Sequence, residues 1–119
     1  MGYRSEVKIV AGKNTAKELL AVNAKHELFN VTEGDNDEWL FEADWLKWYE
    51  DEPDVAAYVE VIEKFEVKTG RDDGLCFLRL GEDDTDVEFR SNGGTYADLS
   101  HTIMVNGFTP KKSKPKAKK

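Results

Sequence analysis

The spacing of apolar residues changes period in a fixed order along this chain, and that order limits its possible folds more than any single motif. Ser5-Glu-Val7-Lys-Ile9-Val-Ala11 alternates polar and apolar residues, the pattern of a half-buried strand, and Gly12-Lys13-Asn14 breaks it. Thr15-Ala-Lys-Glu18 has the spacing of a capping box, so a helix is expected over about residues 15–26, with Ala16, Leu19, Leu20 and Ala24 inward. The short run 27–32 and the turn-forming Glu33-Gly34-Asp35-Asn36-Asp37 predict a hairpin into a tryptophan-rich strand. Pro53 suits the first position of a second helix, in which Val55, Tyr58, Val59, Ile62 and Phe65 recur at helical spacing until Lys68-Thr69-Gly70 ends it.

After the turn Arg71-Asp72-Asp73-Gly74, residues 75–80 are almost continuously apolar, as in an inner strand covered on both faces. Residues 86–90 alternate again, Ser91-Asn92-Gly93-Gly94 reads as a turn, and a last strand is expected over 101–105. The order predicts an α+β fold: a ferredoxin-like split β-α-β-β-α-β arrangement, mostly antiparallel, with two helices on one face and an added C-terminal β-hairpin. An exposed edge strand is expected at 5–11 or at 101–105.

All three tryptophans fall within Trp39-Leu-Phe-Glu-Ala-Asp-Trp45-Leu-Lys-Trp48, which runs into Tyr49-Glu-Asp-Glu-Pro-Asp54. Period two puts Trp39, Phe41, Ala43 and Trp45 on one face and Leu46 and Trp48 on the other, so the phase changes near Asp44, as a β-bulge would cause. The expectation is that Trp39, Phe41 and Trp45 are core. Trp48 and Tyr49, which lead into the acids, are read as an aromatic anchor ringed by charge.

At 119 residues the chain is expected to form one domain over 1–109, followed by a disordered lysine-rich tail over 110–119. The tail holds Lys111, Lys112, Lys114, Lys116, Lys118 and Lys119. These are six of the 17 basic residues; the other 11 face 24 acids, so residues 1–110 carry a net charge of −13. Such a tail has three readings: it touches nucleic acid through phosphate charge, it folds back loosely over the acidic body, or it only aids solubility. Lysines without interleaved aromatics or arginines can hold phosphates but cannot read bases, so any nucleic-acid contact is nonspecific. Cys76, the single cysteine, excludes an intrachain disulfide and lies in an apolar run, where an inert buried thiol is expected. No apolar segment reaches the ~18 residues of a membrane span and none resembles a signal region, so a cytoplasmic protein without membrane contact is expected.

His26 and His101 lack any metal-ligand spacing, and the acidic turns 35–38 and 82–86 lack the order of an EF-hand, so no metal is expected. No phosphate-binding loop, dinucleotide fingerprint or nucleophile elbow occurs, and no pair of carboxylates stands out for acid–base work. The reading is therefore a non-enzymatic chain with no catalytic residue and no cofactor.

Met1-Gly-Tyr-Arg-Ser-Glu-Val7, Leu46-Lys-Trp-Tyr49 with Pro53-Asp-Val55, and Leu78-Arg-Leu-Gly-Glu82 with Asp86-Val-Glu88 resemble a family of small, functionally uncharacterised accessory proteins of tailed bacteriophages. The resemblance covers most of residues 1–90 and implies expression in an infected bacterial cytoplasm; it brings no activity and no catalytic residue. Together with the acidic body it suggests a protein that binds and inhibits or modulates a host protein, its carboxylates imitating phosphate spacing. The expected partner-binding residues are Trp48, Tyr49, Glu50, Asp51, Glu52, Asp54, Glu82, Asp83, Asp84 and Asp86. Two alternatives stand beside it: a structural or assembly role as a monomer or homodimer, and a nonspecific nucleic-acid binder acting through the tail.

Overall fold

In the computed structural model, which describes residues 3–83, 85–99, 105–108 and 110, the first alternating run forms β1, Ser5–Ala11. A helix α1, Lys13–His26, leads to the hairpin of β2, Asn30–Glu33, and β3, Trp39–Leu46. The second helix α2, Pro53–Glu66, and a short 3-10 turn at Arg71–Asp73 precede β4, Leu75–Gly81, and β5, Val87–Ser91. A separate two-stranded ribbon joins β6, Asp98–Leu99, to β7, Val105–Asn106.

The five main strands form one antiparallel sheet in the order β2-β3-β1-β4-β5. β1 is the central strand, paired on both sides, so residues 5–11 do not form the expected edge; the edges are β2 and β5. The other expected edge falls mainly on 101–104, outside the described residues. Among the described residues the C-terminal hairpin is not an extension of the main sheet, because β7 pairs with β6.

Both helices lie on one face. Val7, Ile9 and Ala11 of β1, Phe41 and Ala43 of β3, and Leu75 and Phe77 of β4 meet Ala16 and Leu19 of α1 and Val55, Tyr58, Val61, Ile62 and Phe65 of α2. Each of the larger apolar side chains so removed from water contributes about 1.5–3 kcal/mol, which is why the helical period of α2 is so legible. Tyr58 is fully buried, and its hydroxyl donates to Asn23 Oδ1 at 2.7 Å while accepting from the Leu28 amide at 3.2 Å. Burial raises its phenol pKa above the ordinary value.

The opposite face is divided. Val10, Leu40, Cys76 and Leu78 are covered by Ala97 and Leu99, with Phe108 beside them. The 94–99 stretch is held there by Glu38, which is 1% exposed and accepts hydrogen bonds from the amides of Tyr96 and Ala97. Further along the strands Val87 and Phe89, whose cross-strand partners are Leu80 and Leu78, stay exposed.

Helix α1 begins earlier than the capping-box spacing implies. Gly12 is its N-cap, and Thr15 is wholly buried with its hydroxyl unpartnered among the described residues. Glu18 instead pairs with Lys64 of α2 at 2.7 Å, so the carboxylate joins two helices rather than capping one. Leu20 and Ala24 are exposed, not inward, because the stripe that meets the core runs through Ala16, Leu19 and Val22. Pro110 forms an isolated bridge with Gly34 beside the β2–β3 turn.

Candidate functional site

Ser5 lies opposite Leu46 and Val7 opposite Ala43, so between them Glu6 alone faces both Asp44 and Trp45. This two-against-one mismatch is a β-bulge, at the point where the sequence changes phase. Trp45 takes up the extra length with φ of 57°, in the left-handed region. That conformation costs a bulky L-residue roughly 1–2 kcal/mol, and the indole gains little in return because it is 68% exposed. The Arg4 guanidinium donates to the Trp45 carbonyl at 3.2 Å and helps to hold the bulge.

The bulge reverses the expected roles of two tryptophans. Trp45 is not core, and Trp48 is not an exposed anchor: it is 7% exposed and packs edge-on to Phe29 at 6.0 Å, with Tyr58 at 6.4 Å and Phe77 at 5.9 Å. Once one residue is taken up outside the ladder, the chain over 47–49 passes under α2 instead of continuing along the sheet. Tyr49, at 37% exposed, remains at the surface as expected.

Tyr3 joins the two acidic stretches that are far apart in sequence. Its amide donates to the Tyr49 hydroxyl at 2.6 Å, its own hydroxyl donates to Asp86 Oδ2 at 2.8 Å, and the same oxygen accepts from the Asp83 amide at 3.0 Å. Arg4 continues the join, its amide donating to Glu82 Oε2 at 2.6 Å. A methyl group on Gly81 would come within 2.1 Å of Asp86 Oδ2 and 2.3 Å of the Tyr3 hydroxyl, so a side chain there would push both groups from their present positions. The loop after β3 and the turn between β4 and β5 therefore meet at one end of the sheet.

Not every carboxylate there is available to a partner. Asp86 binds Arg79 at 2.8 Å, and that contact first, then Tyr3, holds its carboxyl below the ordinary range; the same contact raises the Arg79 pKa. Asp83 accepts from the amide and hydroxyl of Thr85, which lower its pKa likewise. Asp54 Oδ1 accepts from the Val55 amide at the start of α2. Glu50, Asp51, Glu52 and Glu82 are exposed. Asp84 and the six tail lysines lie outside the described residues.

Beside Trp45 opens a cavity of about 350 Å³ lined by Arg4, Ser5, Glu6, Asp44, Trp45, Leu80, Gly81 and Glu82. A second of about 200 Å³ shares Glu6 and Asp44 with it and extends to Lys8, Asn30 and Glu42. Lys8 is ion-paired to Glu42 within that second cavity. Three carboxylates and one guanidinium around an exposed indole make a surface suited to a lysine or arginine side chain, through cation–π contact and ion pairing together.

A larger cavity of about 580 Å³ lies between α1 and α2, but Lys64 is paired there with Glu18 and Asn14 with Asp73, so much of its polar lining is internally satisfied. Among the described residues no group of three or more histidine, cysteine or acidic side chains is placed to hold a metal ion, and no helix is long and apolar enough to cross a membrane. Compared with protein-family models, with curated proteins and with solved structures, the chain matches none of them.

Residues Tyr3, Arg4, Glu6, Asp44 and Trp45 were not among the expected site residues. The phase change at Asp44 is the sequence signal that points to Asp44 and Trp45; Tyr3, Arg4 and Glu6 join them only through the strand register and hydrogen bonds of the fold. What it lacks is which residue takes the left-handed conformation, because a tryptophan is an improbable occupant for it.

Proposed function

We propose that this chain is a non-enzymatic accessory protein that binds a basic segment of a partner protein through the Trp45 end of its sheet. The observation that carries the reading is Trp45 itself, a large aromatic held 68% exposed on an unfavourable backbone conformation among Glu6, Asp44 and Glu82. Strain of that kind persists where surrounding structure enforces it, and an exposed aromatic ringed by charge has the composition of an interface centre. The acidic body adds a long-range field that speeds encounter with a basic target. The bacteriophage resemblance would make the partner a host protein, and one whose basic surface ordinarily holds nucleic acid would release it on binding this chain.

The strand order β2-β3-β1-β4, with one helix in each crossover, supports reading the first four strands as a ferredoxin-like split sheet extended by β5. That plan names no activity by itself. A second reading rests on edge strand β5, whose exposed Val87 and Phe89 favour pairing with a second copy. Sedimentation over a range of concentrations separates the two, since only the second predicts a dimer.

The test of the first is affinity capture from nuclease-treated bacterial lysate with the full chain and its Trp45→Ala and Glu82→Gln variants. A single basic protein retained by the native chain, and lost with Trp45→Ala or in high salt, is the expected result. Capture indifferent to Trp45 would overturn the reading.

A further inference from the structure

We propose that the lysine-rich tail, residues 111–119, docks on the Trp45 surface of its own chain and competes there with the partner's basic segment. The competition rests on the reading of that surface given above; the docking rests on charge and reach. Six lysines in nine residues are the chemistry that the Trp45 cavity suits, and they follow a body of charge −13. Glu6 and Asp44 line both that cavity and its neighbour, so carboxylates continue along the sheet face from Trp45 toward Asn30 and Glu42.

The tail starts from a known point. Pro110 is bridged to Gly34, whose amide donates to the Glu38 carbonyl at 2.7 Å, immediately before β3 begins at Trp39. From Trp39 to Trp45 the strand climbs six residues, about 20 Å at its usual rise. Nine extended residues reach about 30 Å, enough to run beside β3 and bring several lysines to the indole and its carboxylates. Tethering of this length keeps the local tail concentration in the millimolar range, so individually weak contacts are populated. No lysine of the tail needs a pocket of its own; the exposed indole face and the carboxylates at its rim suffice.

Two full-length proteins test this: the native chain, and one carrying Lys111→Gln, Lys112→Gln, Lys114→Gln, Lys116→Gln, Lys118→Gln and Lys119→Gln. Acrylamide quenching of tryptophan fluorescence is measured for both, and for each with Trp45→Phe. At about 0.01 M salt, where the Debye length is about 30 Å, Trp45 of the native chain is expected to be the better protected. A single exposed cation–π contact favours the docked form about twofold, so Trp45 should be covered about two-thirds of the time and its quenching constant up to about threefold lower. At about 1 M salt, with a Debye length near 3 Å, the two should converge, and Trp45→Phe should abolish the difference at either salt.

Equal quenching of the two chains at low salt overturns the proposal. Protection that grows with protein concentration also overturns it, because the tail would then be seated on another copy. The partner reading fails separately. If the tail protects Trp45 while Trp45→Ala leaves partner capture untouched, docking stands and the partner reading falls; if quenching is equal and capture still needs Trp45, the reverse holds. When both hold, the glutamine-tailed chain should capture more partner at low salt than the native one.

Discussion

Trp45 and Trp48 stand three residues apart and occupy opposite kinds of environment. Trp48 lies among Phe29, Tyr58 and Phe77, where aromatic area removed from water stabilises the fold. Trp45 is turned out on a bulge whose backbone it fits poorly, and stabilises little. One side chain is placed by packing and the other is placed against local preference. The difference teaches that the aromatic share of a segment does not reveal its role; the register of the neighbouring strand does. A single extra residue opposite Glu6 decides which indole meets the core.

The largest expected effect tests that contrast directly. Trp48→Ala should lower unfolding free energy by about 3–5 kcal/mol, the range for emptying an aromatic site in a core, whereas Trp45→Ala should stay within about 0.5 kcal/mol of the native chain. Urea denaturation of both variants measures the pair. Comparable losses would mean that the two tryptophans do not differ as described.

An intermediate effect concerns the divided sheet face. Glu38 is the buried carboxylate that receives the Tyr96 and Ala97 amides, and Ala97 and Leu99 cover Val10, Leu40 and Leu78. Glu38→Ala leaves two amides without an acceptor and should cost about 1–3 kcal/mol. Hydrogen exchange at residues 96–99 should accelerate well before exchange in β1 does. Uniform acceleration across the sheet would instead make this cover part of one cooperative core.

Much of the fold is legible in the sequence because it is written in period. The alternation of 5–11, the helical spacing from Val55 to Phe65 and the apolar run 75–80 each place an element correctly, since burial on one face, one stripe or both faces imposes those patterns. Where the reading departs, several side chains answered to each other. Glu18 fits a capping box by spacing but is drawn to Lys64 on a helix that sequence alone does not put beside it. Glu38 sits in an acidic turn with no local sign of burial, yet it is buried and accepts from a backbone amide almost sixty residues later. The site follows the same logic. The acids of 50–52 and 82 are legible as charge, but the role of Tyr3 in bringing their loops together depends on three hydrogen bonds across the fold.

A smaller effect, of opposite sign, sharpens the contrast between the tryptophans. Trp45→Gly relieves a left-handed penalty of roughly 1–2 kcal/mol, while the freer unfolded chain takes back about 0.5–1 kcal/mol. The expected net gain is about 0.5–1 kcal/mol, a rise of a few degrees in Tm for a domain of this size. Under the proposed function, the same variant should also lose affinity capture. A gain in stability with loss of binding would mark Trp45 as kept for its surface role; a clear loss of stability would mean that the indole contributes to packing after all.

The smallest effect separates the Trp45 bulge from the Tyr3 junction by pH. The carboxyl of Asp86 is held below its ordinary range first by Arg79 and then by Tyr3, so its folded-state pKa lies below its unfolded value. A group shifted in that direction stabilises the fold fully above the unfolded aspartate value, near pH 4, and the contribution disappears as pH falls through the lower folded value. Asp83, shifted the same way by Thr85, adds to this slope. Asp83 is exposed and the Asp86 side chain about one-third exposed, at 34%, so solvent screening keeps the change modest. Asp86→Asn should flatten the stability curve below pH 4 and loosen Tyr3 from the 82–86 turn, seen as faster exchange of the Asp83 amide. It should leave Trp45 quenching nearly unchanged, because the bulge is fixed by the β1–β3 ladder and by Arg4 rather than by Tyr3. If Trp45 quenching did follow Asp86 protonation, the bulge and the Tyr3 junction would form one unit, and the acidic loops would control how the indole is presented.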